Sequence, residues 1–173
     1  AGFKKKKLDL ALITCKEATA AGVYTQNAFA ASPVKLTKKN VGLGTIKALV
    51  INSGNANACT GEEGAFNALL TTKIIAEQLS IKPDEVAVAS TGVIGLQLDM
   101  DLMQKGIVEA VEKLSKDGGN DAATAIMTTD TYSKEITVKC SIEGTTYTIS
   151  GMAKGSGMIH PNMATMLCFL TTD

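Results

Sequence analysis

The chain has 173 residues, a length suited to one domain, and is 45% apolar but only 4% aromatic, so its core must be built from aliphatic side chains. Seventeen basic residues, every one a lysine, balance seventeen acidic ones, and this zero net charge argues against nucleic acid or an anionic membrane as a partner. Without arginine an anion must be met by lysine or backbone N–H, and one histidine with four scattered cysteines gives no zinc-ligand pattern and predicts no metal.

In chain order, four lysines precede an apolar stretch that superficially looks like a secretory leader. Asp9 interrupts it, the stretch is short and no small-residue cleavage site follows, so a strand over 8–14 behind a solvated basic turn is predicted. Residues 22–25 read as a second early strand, and Pro33 introduces an alternating segment, 34–37, suited to a sheet edge. A central strand over 46–51 is predicted to empty into a polar loop, 52–57. A helix over about 62–79 follows, with Phe66, Leu69, Leu70, Ile74, Ile75 and Leu79 at helical spacing. Pro83 opens the next unit: a buried strand over 86–89, then a glycine-bearing loop over 90–95. A helix capped by Asp99 runs to Leu114, and a shorter one starts at Asn120 and ends near Met127. Strands at 136–142 and 146–150 joined through Glu143-Gly144 read as a hairpin, and 165–170 as a last strand. Strands and helices alternate without internal repeats, which defines an α/β fold. Cys15, Cys59, Cys140 and Cys168 sit in or beside apolar stretches, predicting buried, reduced thiols and a cytoplasmic location.

The chemistry concentrates near the end, in Lys154-Gly-Ser-Gly-Met-Ile-His160-Pro-Asn-Met-Ala164-Thr165. A glycine-rich approach, a small residue and a hydroxyl are what a self-cleaving peptide bond needs. Scission would give Thr165 a free α-amine, with a reference pKa of about 7.7–8.0, able to take its own hydroxyl proton. The plainer alternative is a polar loop entering a core strand. Ser90-Thr91-Gly92 follows a buried strand, where glycine lets backbone N–H groups approach a developing oxyanion, or simply serves a turn. Lys154 suits a carboxylate as a point charge, though most lysines are solvated, and Thr128-Thr129-Asp130-Thr131 has the look of a cap or turn. His160, beside proline in a loop, is left outside the catalytic set.

Lys154 to Leu167 resembles the processing-site signature of the ornithine acetyltransferases, the bifunctional glutamate N-acetyltransferases of arginine biosynthesis. Four further segments resemble that family in order and spacing: 8–12 with Ala21-Gly-Val-Tyr-Thr25, Asn52-Ser-Gly-Asn-Ala-Asn-Ala-Cys-Thr-Gly61, Ser90-Thr-Gly-Val-Ile-Gly95, and Ala125-Ile-Met-Thr-Thr-Asp-Thr131. The resemblance implies an α/β/β/α sandwich like that of N-terminal nucleophile enzymes. It also implies cleavage between Ala164 and Thr165, dividing an α-segment, 1–164, from the start of a β-segment, 165–173. Thr165 becomes the nucleophile, Thr91 and Gly92 the oxyanion pair, and Lys154, Thr165 and a threonine of the cluster the substrate contacts. Thr128 fits by spacing, with Thr129 one residue away. Acetyl would pass from N-acetylornithine to glutamate. No metal or prosthetic group is implied, though bifunctional members also use acetyl-coenzyme A. The partner implied is the chain's own β-segment, in αβ units that assemble further, and 1–173 alone is expected to be inactive. The competing readings are a related self-cleaving hydrolase or aminopeptidase, and a non-catalytic amino-acid-binding fragment.

Overall fold

The computed structural model describes residues 1–5, 7–160 and 165–173. Among the described residues, two three-stranded sheets and four α-helices account for most of the structure. The first sheet holds β1 (Leu10–Thr19), β2 (Thr45–Asn55) and β3 (Val86–Val93) in that spatial order, β1 antiparallel and β3 parallel to the central β2. The second holds β4 (Lys134–Ile142), β5 (Thr145–Lys154) and β6 (Leu167–Thr172), all antiparallel. The helices are α1 (Ser32–Val41), α2 (Gly61–Leu79), α3 (Met100–Glu112) and α4 (Gly119–Ala125).

β2 buries both faces, and its alternation divides the core in two. Ala48 and Val50 point with Val86 and Val88 toward Ile75, Ala76, Met103 and Ile107 of α2 and α3. Ile51, with Ala11, points the other way, toward Ala123, Ala125 and Ile126 at α4 and Met152 of β5, with Leu167 and Phe169 of β6 packed alongside. The layers therefore run α2 and α3, first sheet, then α4 and the second sheet. No helix among the described residues covers the outer face of the second sheet, where Ile136 and Leu170 are 67% and 71% exposed. The fold is α/β, as the sequence predicts.

Several local predictions are corrected. Residues 34–37 are helical, not a sheet edge: α1 begins Ser32-Pro33, and proline is well placed in a helix's first turn. Its sheet-facing residues are Pro33, Thr37 and Asn40. The Thr37 hydroxyl donates to Val88 O at 2.6 Å and accepts from Val88 N at 2.8 Å, and the Asn40 amide donates to Val86 O at 2.8 Å, so α1 closes the free edge of β3. Residues 22–25 form no strand, having no neighbouring strand to pair with. α2 turns Asn67, Ala68, Thr71, Thr72 and Ile75 inward and leaves Phe66 and Leu69 exposed, because its threonines satisfy their hydroxyls on helix carbonyls. Asp99 caps α3 through Leu102 N–H, but Asn120 lies inside α4 and bonds Glu135 instead. β6 starts at Leu167, two residues later than predicted. All four cysteines are exposed, not buried: Cys140 and Cys168 fall on the uncovered face of the second sheet with Ile136 and Leu170, as the strand alternation dictates.

Candidate functional site

The predicted loops 52–57 and 90–95 are largely strand. β2 and β3 stay in parallel register through Asn52↔Ser90, Ser53↔Thr91 and Gly54↔Gly92, and the register shifts only at Asn55. Polar residues survive here because they bond to one another. The Asn52 side chain donates to Asn55 O at 2.8 Å and accepts from the Ser90 hydroxyl at 2.6 Å. Asn55 donates to Leu96 O and Gln97 O at 3.2 and 3.1 Å. Gly92 has φ +136°, and a Cβ there would lie 2.3 Å from the carbonyl carbon of Gly54, so only glycine fits the bulge beside Thr91.

Lys154 ends β5 and is 3% exposed. Its Nζ donates to Thr128 Oγ1 at 2.7 Å and to Thr91 Oγ1 at 3.2 Å. Burial pushes the ammonium below the ordinary lysine range, Asp130 opposes that shift, and Lys134 adds to it. Asp130 is the organiser that sequence reading missed. Burial alone would raise its carboxyl, but an ion pair with Lys134 at 2.6 Å and N–H donation from Gly155 and Thr128 at 2.9 and 3.3 Å hold it at about 2. One carboxylate thus ties the exit of β5 to the threonine cluster. Thr129 turns away from Lys154 and donates to Ser156 O at 3.0 Å. The signal for Asp130 was its place within the threonine cluster, where an acidic residue reads as an ordinary cap.

Thr165 is exposed and stands two residues before Leu167, which pairs with Lys154 across β5 and β6. The segment enters at the Lys154 end of the sheet. Thr165 has φ +58°, a left-handed conformation that a β-branched residue adopts only under constraint. Ala164 lies outside the described residues. The structure therefore joins Thr91, Thr128 and Lys154 by direct hydrogen bonds and brings Thr165 to the same end by strand register. Among the described residues no group of three or more His, Cys, Asp or Glu is placed to hold a metal, and no helix is long and apolar enough to cross a membrane.

A two-sheet sandwich with α2 and α3 outside the first sheet and α4 beside the second, a glycine-bulged strand exit and a glycine-led threonine at the mouth of a strand define a protein of the N-terminal nucleophile fold type. The family model that matches is the ArgJ family, over residues 1–173, and the chain belongs to it. It is 54% identical to the arginine biosynthesis bifunctional protein ArgJ of Caldanaerobacter subterraneus subsp. tengcongensis, the match covering 100% of this chain and 43% of that protein. It is 48% identical to the protein of that name from Bacillus anthracis, over 99% of this chain and 43% of the relative. The chain thus spans under half the length of the curated relatives it matches. Among solved structures, ArgJ of Bacillus halodurans superposes with a TM-score of 0.87 at 43% identity, covering 94% of this chain and 86% of that one. The ornithine acetyltransferase of Mycobacterium tuberculosis, solved with ornithine, gives 0.81 at 37% identity, covering 94% and 88%.

Proposed function

We propose that this chain is the acetyl-transferring part of an arginine-biosynthesis enzyme that cleaves itself between Ala164 and Thr165 and then works through a threonine ester. The Thr165 hydroxyl attacks the Ala164 carbonyl, the peptide becomes an ester with release of the Thr165 amine, and water hydrolyses the ester to leave a carboxylate on Ala164. In turnover that amine takes the hydroxyl proton while Oγ attacks the acetyl carbonyl of N-acetylornithine. The oxyanion forms beside Thr91 and Gly92 and collapses by expelling the ornithine amine, which carries away the proton. The glutamate amine then attacks the acetyl-threonine ester, giving N-acetylglutamate and free Thr165. Lys154 meets the substrate α-carboxylate, with Thr128 fixing its ammonium. Acetyl-coenzyme A serves as a second donor if this member is bifunctional like its curated relatives; no prosthetic group takes part.

The observation that carries this reading is the buried ammonium of Lys154, shared between Thr91 and Thr128. It sets an anion-binding charge directly against the oxyanion strand. The constrained backbone of Thr165 adds support, since a side chain held at positive φ costs about 1–3 kcal/mol and stores strain next to the bond to be broken. The coverage figures add more: solved relatives are matched over 86 and 88% of their chains, curated ones over only 43%, so the crystallised polypeptides are much shorter than the curated proteins. In this reading 1–164 is the α-segment, and the β-segment from Thr165 onward first supplies β6 to the second sheet and then continues over that sheet's apolar outer face.

Mass spectrometry of the complete product tests the cleavage: two fragments are expected, the second beginning Thr-Met-Leu. Thr165→Ala should abolish both scission and acetyl transfer, and normal turnover in that variant would overturn the assignment. Release of free acetate instead of N-acetylglutamate would point to a hydrolase.

A further inference from the structure

The four lysines near the start of the chain read as a solvated run, yet Lys4 is half-buried and aimed inward. The backbone N–H groups of Gly2 and Lys4 both donate to Asp9 Oδ2, at 2.8 and 2.9 Å, and Asp9 is itself buried. Phe3 lies over the glycine bulge, so closely that a Cβ on Gly54 would come 2.9 Å from the Cβ of Phe3. This strap sends the Lys4 side chain to the exit of α4. There its Nζ donates to Ala125 O at 3.3 Å and to Met127 O at 3.0 Å, and the Ser53 hydroxyl also donates to Ala125 O.

A helix exit is where carbonyls lack intrahelical partners and where the backbone dipole presents negative charge, so an ammonium there has an electrostatic and a hydrogen-bonding reason to stay. The residue after Met127 is Thr128, whose hydroxyl accepts from Lys154. We propose that Lys4 is a positioning residue: by clamping the exit of α4 it holds the Thr128 hydroxyl against Lys154, and so sets substrate affinity without touching substrate. The relay runs from Asp9 through the strap to Lys4, then through two carbonyls to Thr128 and Lys154, across 123 residues of sequence at its longest hydrogen bond. Lys4 is held below its ordinary pKa, by burial against the pull of Asp9 and with contributions from Lys7 and Lys154, consistent with a cation near the second ammonium of the site.

This inference rests on the reading of Thr128 and Lys154 as the substrate site. The test is made on the complete protein, measuring kcat and KM for N-acetylornithine together with thermal unfolding. Lys4→Met should raise KM about tenfold, the scale of one hydrogen bond to a charged group, and leave kcat nearly unchanged. Lys4→Arg should restore KM, because it keeps the charge and the donors. In a Thr128→Ala background Lys4→Met should add nothing further, since the two residues act through one contact. Additive effects, or a normal KM in folded Lys4→Met, would overturn the proposal. If Lys4→Met does not fold, Lys4→Ser, hydrophilic but too short to reach either carbonyl, is measured the same way, and a normal KM there overturns it equally. Lys154→Met separates the two layers. A normal KM in that variant sinks the substrate-site reading itself, whereas a raised KM there with normal Lys4 variants sinks only the relay.

Discussion

Asp130 is a carboxylate that burial opposes and its neighbours insist on. Its desolvation is outweighed by Lys134 and by the N–H groups of Gly155 and Thr128, which brings its pKa from 3.8 to about 2. A depressed acid contributes stability that is complete above its unfolded pKa and is lost as pH falls through the folded one. The linkage is therefore confined to roughly pH 4 down to 2 and amounts to at most about 2 kcal/mol. Denaturant titrations of wild type and Asp130→Asn should show a gap at neutral pH that closes across that window. A gap independent of pH would mean the carboxylate charge is not its source. The same carboxylate supports the charge on Lys154, which burial pushes down. In the proposed reaction an α-carboxylate binds Lys154 only while that lysine is protonated, so KM should begin to rise at a lower pH than an ordinary lysine would give. Asp130→Asn, which removes the opposing charge, should move that alkaline limb to still lower pH; an unshifted limb would remove Asp130 from the electrostatics of the site.

At the scale of elements, the hairpin between β4 and β5 shows what local sequence determines well. Glu143 and Gly144 both have positive φ, +51° and +81°, as a two-residue turn that follows strand twist requires. Glycine accepts this freely, glutamate does not, and asparagine is better suited. Glu143→Asn should therefore stabilise the protein by about 0.5 kcal/mol, read as a rise of about 1–2 °C in Tm by calorimetry; a fall would show that Glu143 makes a contact worth more than its backbone strain. The hairpin, α2 and α3 were legible because turn residues, an Asp99 cap and helical spacing are short-range signals. α1 was not. Val34-Lys-Leu-Thr37 alternates like a strand, while the residues that bind the sheet, Thr37 and Asn40, do so through hydrogen bonds that hydropathy does not register. Asn52 to Asn55 misled for the same reason, reading as loop because they are polar and lying in a strand because their amides find backbone carbonyls and the Ser90 hydroxyl. At the site, Thr91, Thr128 and Lys154 were nameable from the family pattern alone. Nothing local announces that residues 26 and 63 positions apart share one ammonium. Asp130 and Lys4 went unseen because an acid among threonines looks like a cap and a lysine among lysines looks like surface.

At the scale of the molecule, the two sheets are unequally covered. The first is packed on both faces, by α2 and α3 on one side and by α4 and the second sheet on the other. Among the described residues the second is packed only on its inner face, through Met152, Leu167 and Phe169. Its outer face carries Ile136, Val138, Ile142, Ile149 and Leu170, all exposed and aligned by the register of β4, β5 and β6. A contiguous aliphatic face of this kind is seldom left to water in a monomer, and it marks a surface another element covers. The proposed occupant is the part of the β-segment that follows β6, able to fold back on the sheet that β6 completes. Placing charge there should separate assembly from chemistry, because the face lies on the far side of the second sheet from the packing that holds Lys154 and Thr128. Ile136→Lys combined with Ile149→Lys, both on that face and both in residues 1–164, made in the complete protein, should weaken association of the two segments. Native mass spectrometry or gel filtration would then show free α- and β-segments where wild type gives one complex. The single substitution Lys139→Glu, on the same strand but on its polar side, serves as the control and should leave the complex intact. If the double variant stays assembled while the control behaves as expected, the pairing of β6 with β5 suffices to hold the β-segment, and the apolar face is covered by some other part of the assembly.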